Sequence, residues 1–126
     1  MAALADTSIM IDHLRGRIEA RELLREQRDR AEPVFASVLT KVEILAGMRA
    51  AEEPMTRRFF GTVLWVDVSD QIAERAGGHA RRYLRSHPGV DLVDLVIVAT
   101  AEELSVPLWT TNVKLFPMVA GLRAPY

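Results

Sequence analysis

The sequence contains no cysteine, which excludes disulfides, thiolate zinc sites and cysteine nucleophiles. It also lacks any apolar run approaching the ~20 residues a membrane span needs, so no membrane partner is expected. The N-terminus has no basic stretch followed by a long apolar one, so no signal peptide is expected. Met1 reads as a native start, and a cytoplasmic location fits these absences. Excess charge is missing too. The formal net charge is −1, so the field of the whole molecule gives no attraction to nucleic acid, and any such affinity must come from a local patch. Lysine is scarce: fourteen of the sixteen basic residues are arginine, the side chain better suited to bidentate phosphate contacts. No repeat, low-complexity segment or linker interrupts the chain. Its 126 residues fit a single domain over 1–126 with one core.

What is present is an alternation of short apolar runs with longer helical stretches. Ala2 to Ala5 reads as a strand and Ser8 to Leu14 as a short helix that Thr7 or Ser8 could cap. Ile18 to Arg30 reads as a surface helix, its glutamates spaced for surface pairs with its arginines. Strands are expected at Val34 to Ala36, Val63 to Val66 and Val106 to Thr110, with a short fifth at Leu122 to Ala124. Ser37 opens a helix to about Ala51, and a helical stretch runs from Met55 to Phe60. Asp70 is placed to cap a helix ending at Arg85. Ser86 to Gly89 is a loop, and Asp91 to Leu104 is a helix apolar nearly all round, hence central. Strands separated by helices imply an α/β fold, a mostly parallel sheet of four to five strands with helices on both faces. Ligands of such sheets bind beyond the carboxyl ends of the strands. If strands one and four were neighbours, Asp6 would meet Thr110, Thr111 and Asn112 there.

Three acids stand in apolar surroundings: Asp6 after Met1 to Ala5, Glu43 within Val38 to Gly47, and Asp94 within Gly89 to Ala101. An ionised carboxylate taken out of water costs several kcal/mol (about) unless a cation or donors compensate it. On a helical wheel Val38, Leu39, Val42, Leu45 and Ala46 form an apolar arc with Glu43 at its edge. Asp91 lies one turn before Asp94 and shares its face. Converging carboxylates either hold protons or take a divalent cation, and oxygen-only ligands point to magnesium or manganese. Each acid also has an ordinary explanation: Asp6 as a helix cap, Glu43 paired with an arginine such as Arg49, Asp91 as an N-cap with Asp94 in the first turn. His13, His79 and His87 lack metal-ligand spacing, and His13 reads as a surface residue.

These residues fall into four ordered motifs: Ala5-Asp6-Thr7-Ser8, Thr40-Lys41-Val42-Glu43, Asp94-Leu95-Val96-Ile97-Val98-Ala99-Thr100-Ala101, and Thr110-Thr111-Asn112 with Phe116. In this the chain resembles the PIN domain, and in particular the VapC toxins of bacterial toxin–antitoxin pairs. The resemblance spans nearly the whole sequence. It implies a three-layer α/β/α sandwich and a Mg²⁺- or Mn²⁺-dependent endoribonuclease acting on single-stranded or loop RNA. Asp6, Glu43 and Asp94 match the family's metal ligands, and Asn112 matches a position where many members carry a fourth acid. Leu115 stands where a further acid or histidine often precedes the Phe, so a tightly held second metal is in doubt. Thr7, Ser8, Asp91 and Thr110 are candidates for supporting the acids or orienting water and phosphate. Arg81, Arg82 and Arg85 are candidates for contacting RNA. The resemblance further implies a VapB-like antitoxin, a homodimer, a larger assembly with the antitoxin, and contact with DNA only through that partner. Ile18 to Leu24 and Met48 to Phe60 are expected to form the antitoxin groove and the homodimer contacts. A catalytically weak scaffold or co-repressor is the alternative that Asn112 and Leu115 favour. A phosphorylated receiver domain is disfavoured because Ala5 stands where an acid is needed, and Glu43 and Asp94 would have no role.

Overall fold

A computed structural model describes residues 1–126. Strand β1 (Ala3–Ala5) leads into helices α1 (Thr7–Leu14) and α2 (Ile18–Asp29), then strand β2 (Val34–Ser37) and helix α3 (Val38–Gly47). A 3₁₀ turn at Ala50–Glu52 precedes α4 (Glu53–Phe60), β3 (Leu64–Val66), α5 (Asp70–Tyr83), α6 (Leu92–Leu104), β4 (Leu108–Trp109) and a 3₁₀ turn at Val113–Leu115. The four strands form one sheet in the order β3-β2-β1-β4, and every pairing is parallel. Leu4 pairs with Leu108 and Ala5 with Trp109, so β1 and β4 are neighbours and their carboxyl ends meet at the point where the strand order reverses.

The alternation of side chains along the strands sorts the core into faces. Ala5, Val34 and Ala36 pack with Ile9, Met10, Ile44, Phe59, Phe60 and Val63 under α1, α3 and α4. Leu4, on the opposite side of β1, packs with Ile97, Val98, Ala101, Leu108 and Phe116 under α6. A third cluster of Ile72, Ala76, Val90, Leu95 and Ala99 seals α5 onto α6. Leu4 is fully buried, which contributes roughly 1.5–3 kcal/mol by removal from water.

Several boundaries differ from expectation. Ser37 caps α3 by accepting from the Leu39 N–H at 3.1 Å, but that helix stops at Gly47, before the 3₁₀ turn. Ser69, not Asp70, caps α5, through the Ile72 N–H, and α5 ends at Tyr83. The residues 122–124 form no strand, and the last strand is confined to Leu108–Trp109. The apolar arc drawn for α3 is also displaced. Val42 is 61% exposed, whereas Thr40 is fully buried beside Ile44. A threonine can face the core there because its hydroxyl lies 3.0 Å from Thr7 Oγ1. Phe59 and Phe60 are both buried, so neither is free to be a surface contact alone.

Candidate active site

Asp6 directly follows β1 and occupies the N-cap position of α1, yet its carboxylate makes no capping bond to that helix. The group is committed elsewhere. Its Oδ2 accepts from Ser8 Oγ at 3.0 Å and from Thr110 Oγ1 at 2.7 Å, and the side chain is only 4% exposed. The backbone ties the same corner together, since the Asp6 N–H donates to the Trp109 carbonyl at 2.8 Å. Thr110 Oγ1 also accepts from the Asn112 N–H at 2.9 Å, and Ser8 Oγ accepts from the Thr111 N–H at 3.1 Å. The segment after β4 is thus held against the start of α1 by hydroxyls that each serve two partners.

Glu43 is exposed on α3, and Arg49 is not its partner. Its Oε1 accepts from Thr7 Oγ1 at 2.6 Å. An ionised carboxylate can only accept, so the single hydroxyl proton of Thr7 goes to Glu43. Adjacent residues of α1 therefore reach different acids: Ser8 holds Asp6, and Thr7 holds Glu43. The buried Thr40, one turn before Glu43 on α3, backs Thr7. Its part in this chain was not evident from sequence, although it is the threonine of the Thr-x-x-Glu motif.

Asp91 and Asp94 form a reciprocal capping box at the start of α6. Asp91 Oδ1 accepts from the Asp94 N–H at 3.0 Å, and Asp94 Oδ2 accepts from the Asp91 N–H at 3.1 Å. This is the ordinary explanation allowed for the pair. It does not account for the state of Asp94, whose carboxyl is pushed up to about 6. Burial raises it most; the hydrogen bond to the Asp91 backbone opposes this, and the negative charges of Asp91 and Asp6 raise it further. The charge of Asp6 therefore acts on Asp94, as a smaller contribution beside burial and Asp91. No group of three acidic or histidine side chains is arranged to hold one ion: Glu43 is engaged by Thr7, Asp6 by Ser8 and Thr110, and Asp94 by the Asp91 N–H.

Asn112 is exposed just after Thr110 and begins the turn that carries Leu115. Arg81, Arg82 and Arg85 are exposed at the carboxyl end of α5, and none of them joins an ion pair. The chain turns there and enters α6, so these arginines lie at the end of the α5–α6 pair that carries Asp94. His13 is not the surface residue expected. It is half-buried, stacked on Phe59 at 4.2 Å between ring centres, and its pKa is lowered by burial and by the charges of Arg21 and Arg28.

Parallel α/β sheets bind their ligands beyond the carboxyl ends of the strands at such a switch point, and Asp6 and Thr110 lie there. The model of the PIN domain family matches residues 3–121, and the chain belongs to that family. It is 46% identical over 123 residues to Ribonuclease VapC19 of Mycobacterium tuberculosis, covering 98% of both chains. It is 38% identical to Ribonuclease VapC10 of the same organism, covering 98% of this chain and 92% of that one. Among solved structures, a toxin–antitoxin complex from Klebsiella pneumoniae contains a chain that superposes with a TM-score of 0.80 at 33% identity, covering 98% of each. A chain of VapBC2 from Rickettsia felis, bound to a fragment of promoter DNA, has the same fold, with a TM-score of 0.83 at 16% identity, covering 98% of this chain and 97% of that one.

Proposed function

We propose that the chain is the ribonuclease toxin of a toxin–antitoxin pair, a divalent-metal-dependent endoribonuclease acting on single-stranded or loop RNA. The observation that carries this is the placing of a nearly buried Asp6 at the sheet's switch point, held by Ser8 and Thr110, with the Asp94 carboxyl of α6 near enough to feel its charge. The curated relatives named as ribonucleases span the same length and support the reading. The residues fit a hard divalent cation. Every donor at the centre is oxygen, and two carboxylates repel one another there. Asp6 and Asp94 would hold Mg²⁺ or Mn²⁺ with help from Glu43; when bound, the ion neutralises phosphate charge and makes water more acidic.

The chain's own groups do the rest. Ser8 and Thr110 fix Asp6 Oδ2 in one orientation. Thr7 occupies Glu43 Oε1 and leaves the other carboxylate oxygen to orient the attacking water and take its proton. Asn112 is placed to hold water or phosphate without adding negative charge. Attack is in line at phosphorus, and the leaving group departs as the 3′-hydroxyl. Arg81, Arg82 and Arg85 supply unpaired positive charge for the RNA backbone, which compensates for a net charge near zero.

A groove of about 860 Å³ between α2, α4 and β3 is the proposed seat of the antitoxin. Leu24, Met55 and Phe59 give it an apolar lining, and Arg21, Arg25 and Arg58 also border it. Leu14 and Met55 also line a smaller cavity of about 110 Å³ that reaches Glu43, so a segment bound in the groove has a route to the acids. Ile18, 67% exposed at the groove, is a better probe than the buried Phe59. Ile18→Glu is expected to weaken antitoxin binding without unfolding the toxin.

The test of the nuclease is cleavage of total RNA by antitoxin-free protein with Mg²⁺, Mn²⁺ or EDTA, beside Asp94→Asn. Discrete fragments that need the metal and vanish in the variant support the reading. Absence of both cleavage and metal binding would shift it to a partner-binding scaffold, the alternative favoured by the uncharged, exposed Asn112.

A further inference from the structure

We propose that Tyr83 and His87 form a platform on which bases of single-stranded RNA stack beside the acidic centre; this rests on the ribonuclease reading. The two rings meet edge to face, 5.4 Å between centres and 63° between planes, and both side chains remain partly exposed. They lie where α5 ends and the chain turns toward Asp91 and Asp94. The turn is fixed before any ligand arrives. The His87 N–H donates to the Tyr83 carbonyl at 3.0 Å, and the His87 carbonyl accepts from the Val90 N–H at 3.2 Å. Ser86 Oγ lies 2.8 Å from His87 Nδ1 and orients the ring. Gly89, at φ +99, takes a backbone conformation that side chains disfavour.

Charge complements the rings. Arg81, Arg82 and Arg85 are exposed on the same end of α5 and have no internal acidic partner, whereas Arg75, earlier on α5, is paired with Glu103 at 2.7 Å. His79, one turn before Tyr83, is held by Glu102 at 2.7 Å and so closes the row on the far side. Partly exposed rings on a helix end that also carries unpaired arginines suit a single strand, whose bases have free faces and whose phosphates are close by. A duplex hides those faces.

The experiment measures binding of labelled oligouridylate and oligoadenylate to the full chain in EDTA, by fluorescence anisotropy, across a range of salt concentrations. Tyr83→Ala is expected to weaken binding about tenfold, the size of one lost base stack, with the salt dependence unchanged. Tyr83→Phe should bind as wild type, and Arg82→Ala should lower the salt dependence. A duplex of the same length should bind more weakly than the single strands. If Tyr83→Ala lowers the melting temperature, His87→Ala, which lies in the loop, carries the comparison. Wild-type affinity in both Tyr83→Ala and His87→Ala overturns the platform, as does a Tyr83→Phe that binds no better than Tyr83→Ala. If the wild type still cleaves RNA in that case, only the platform falls. If it neither binds nor cleaves, the nuclease reading falls with it.

Discussion

Replacing Asp94 by Asn should make the metal-free protein more stable at neutral pH while removing its activity. In the folded chain the Asp94 carboxyl titrates at about 6, against about 3.9 in an unfolded chain. Between these values the native state keeps a proton that the unfolded state has released. Stability therefore falls as pH rises from about 4 to about 6. The full shift of about two units corresponds to a ceiling of ~3 kcal/mol. Asp94 is only half-buried, and solvent screening reduces this to roughly 1.5 kcal/mol. Asn forfeits the attraction of a carboxylate to the helix N-terminus, about 0.5 kcal/mol, but its amide oxygen can still accept from the Asp91 N–H. The net gain for Asp94→Asn above the folded pKa is about 1 kcal/mol, or ~4 °C in melting temperature for a chain of this size. Below the unfolded pKa the gain disappears, because the acid is protonated in both states. Thermal melts of both proteins in EDTA, on either side of the window, measure the difference directly, since other titrating groups cancel in the comparison. Adding Mg²⁺ at about ten times its dissociation constant should then stabilise the wild type by ~1.4 kcal/mol and the variant by less. A variant that is destabilised at neutral pH, or stabilised equally at both ends of the window, would refute the reasoning.

Thr7→Val keeps the shape of the side chain but frees Glu43. It should lower the cleavage rate about 10- to 100-fold, as loss of a carboxylate's orienting partner does, with the circular dichroism spectrum unchanged. Thr110→Val removes the 2.7 Å bond to buried Asp6 and the acceptor for the Asn112 N–H; urea titration should show a loss of ~1–3 kcal/mol. Leu4→Ala, at the centre of the sheet, should cost about 2–5 kcal/mol in the same assay.

The sequence was most legible where periodicity and chemistry agreed. The strand-helix alternation pointed to a parallel sheet, while the neighbourhood of β1 and β4 stood only as a condition; their pairing is what brings Thr110 to Asp6. The isolated acids were visible because each broke an apolar run. The helical wheel of α3 failed because apolarity was taken as the guide to burial. Thr40 faces inward with its hydroxyl engaged, and Val42 is left exposed. The cap of α5 was missed by one residue because Ser69 and Asp70 are both good caps, and only the backbone conformation selects between them. The division of labour between Thr7 and Ser8 was not readable at all. Which hydroxyl meets which acid depends on how α1 is rotated against α3 and β4, and that is a property of packing. His13 was misjudged for a related reason. It follows the polar Asp12 in the sequence, but Phe59 stacks on it from a helix far along the chain.

The reciprocal bonds between Asp91 and Asp94 tie the acidic centre to the most easily frayed part of any helix, its first turn. When that turn opens, Asp94 loses its position and Val90 and Leu95 leave the third core, while the sheet, the other two cores and the groove between α2 and α4 remain formed. The free energy that keeps the centre assembled is therefore the local opening free energy of one turn of α6, which can be much smaller than that of global unfolding. The site can be lost and regained many times while the surrounding fold, and the surface offered to a partner, stays intact.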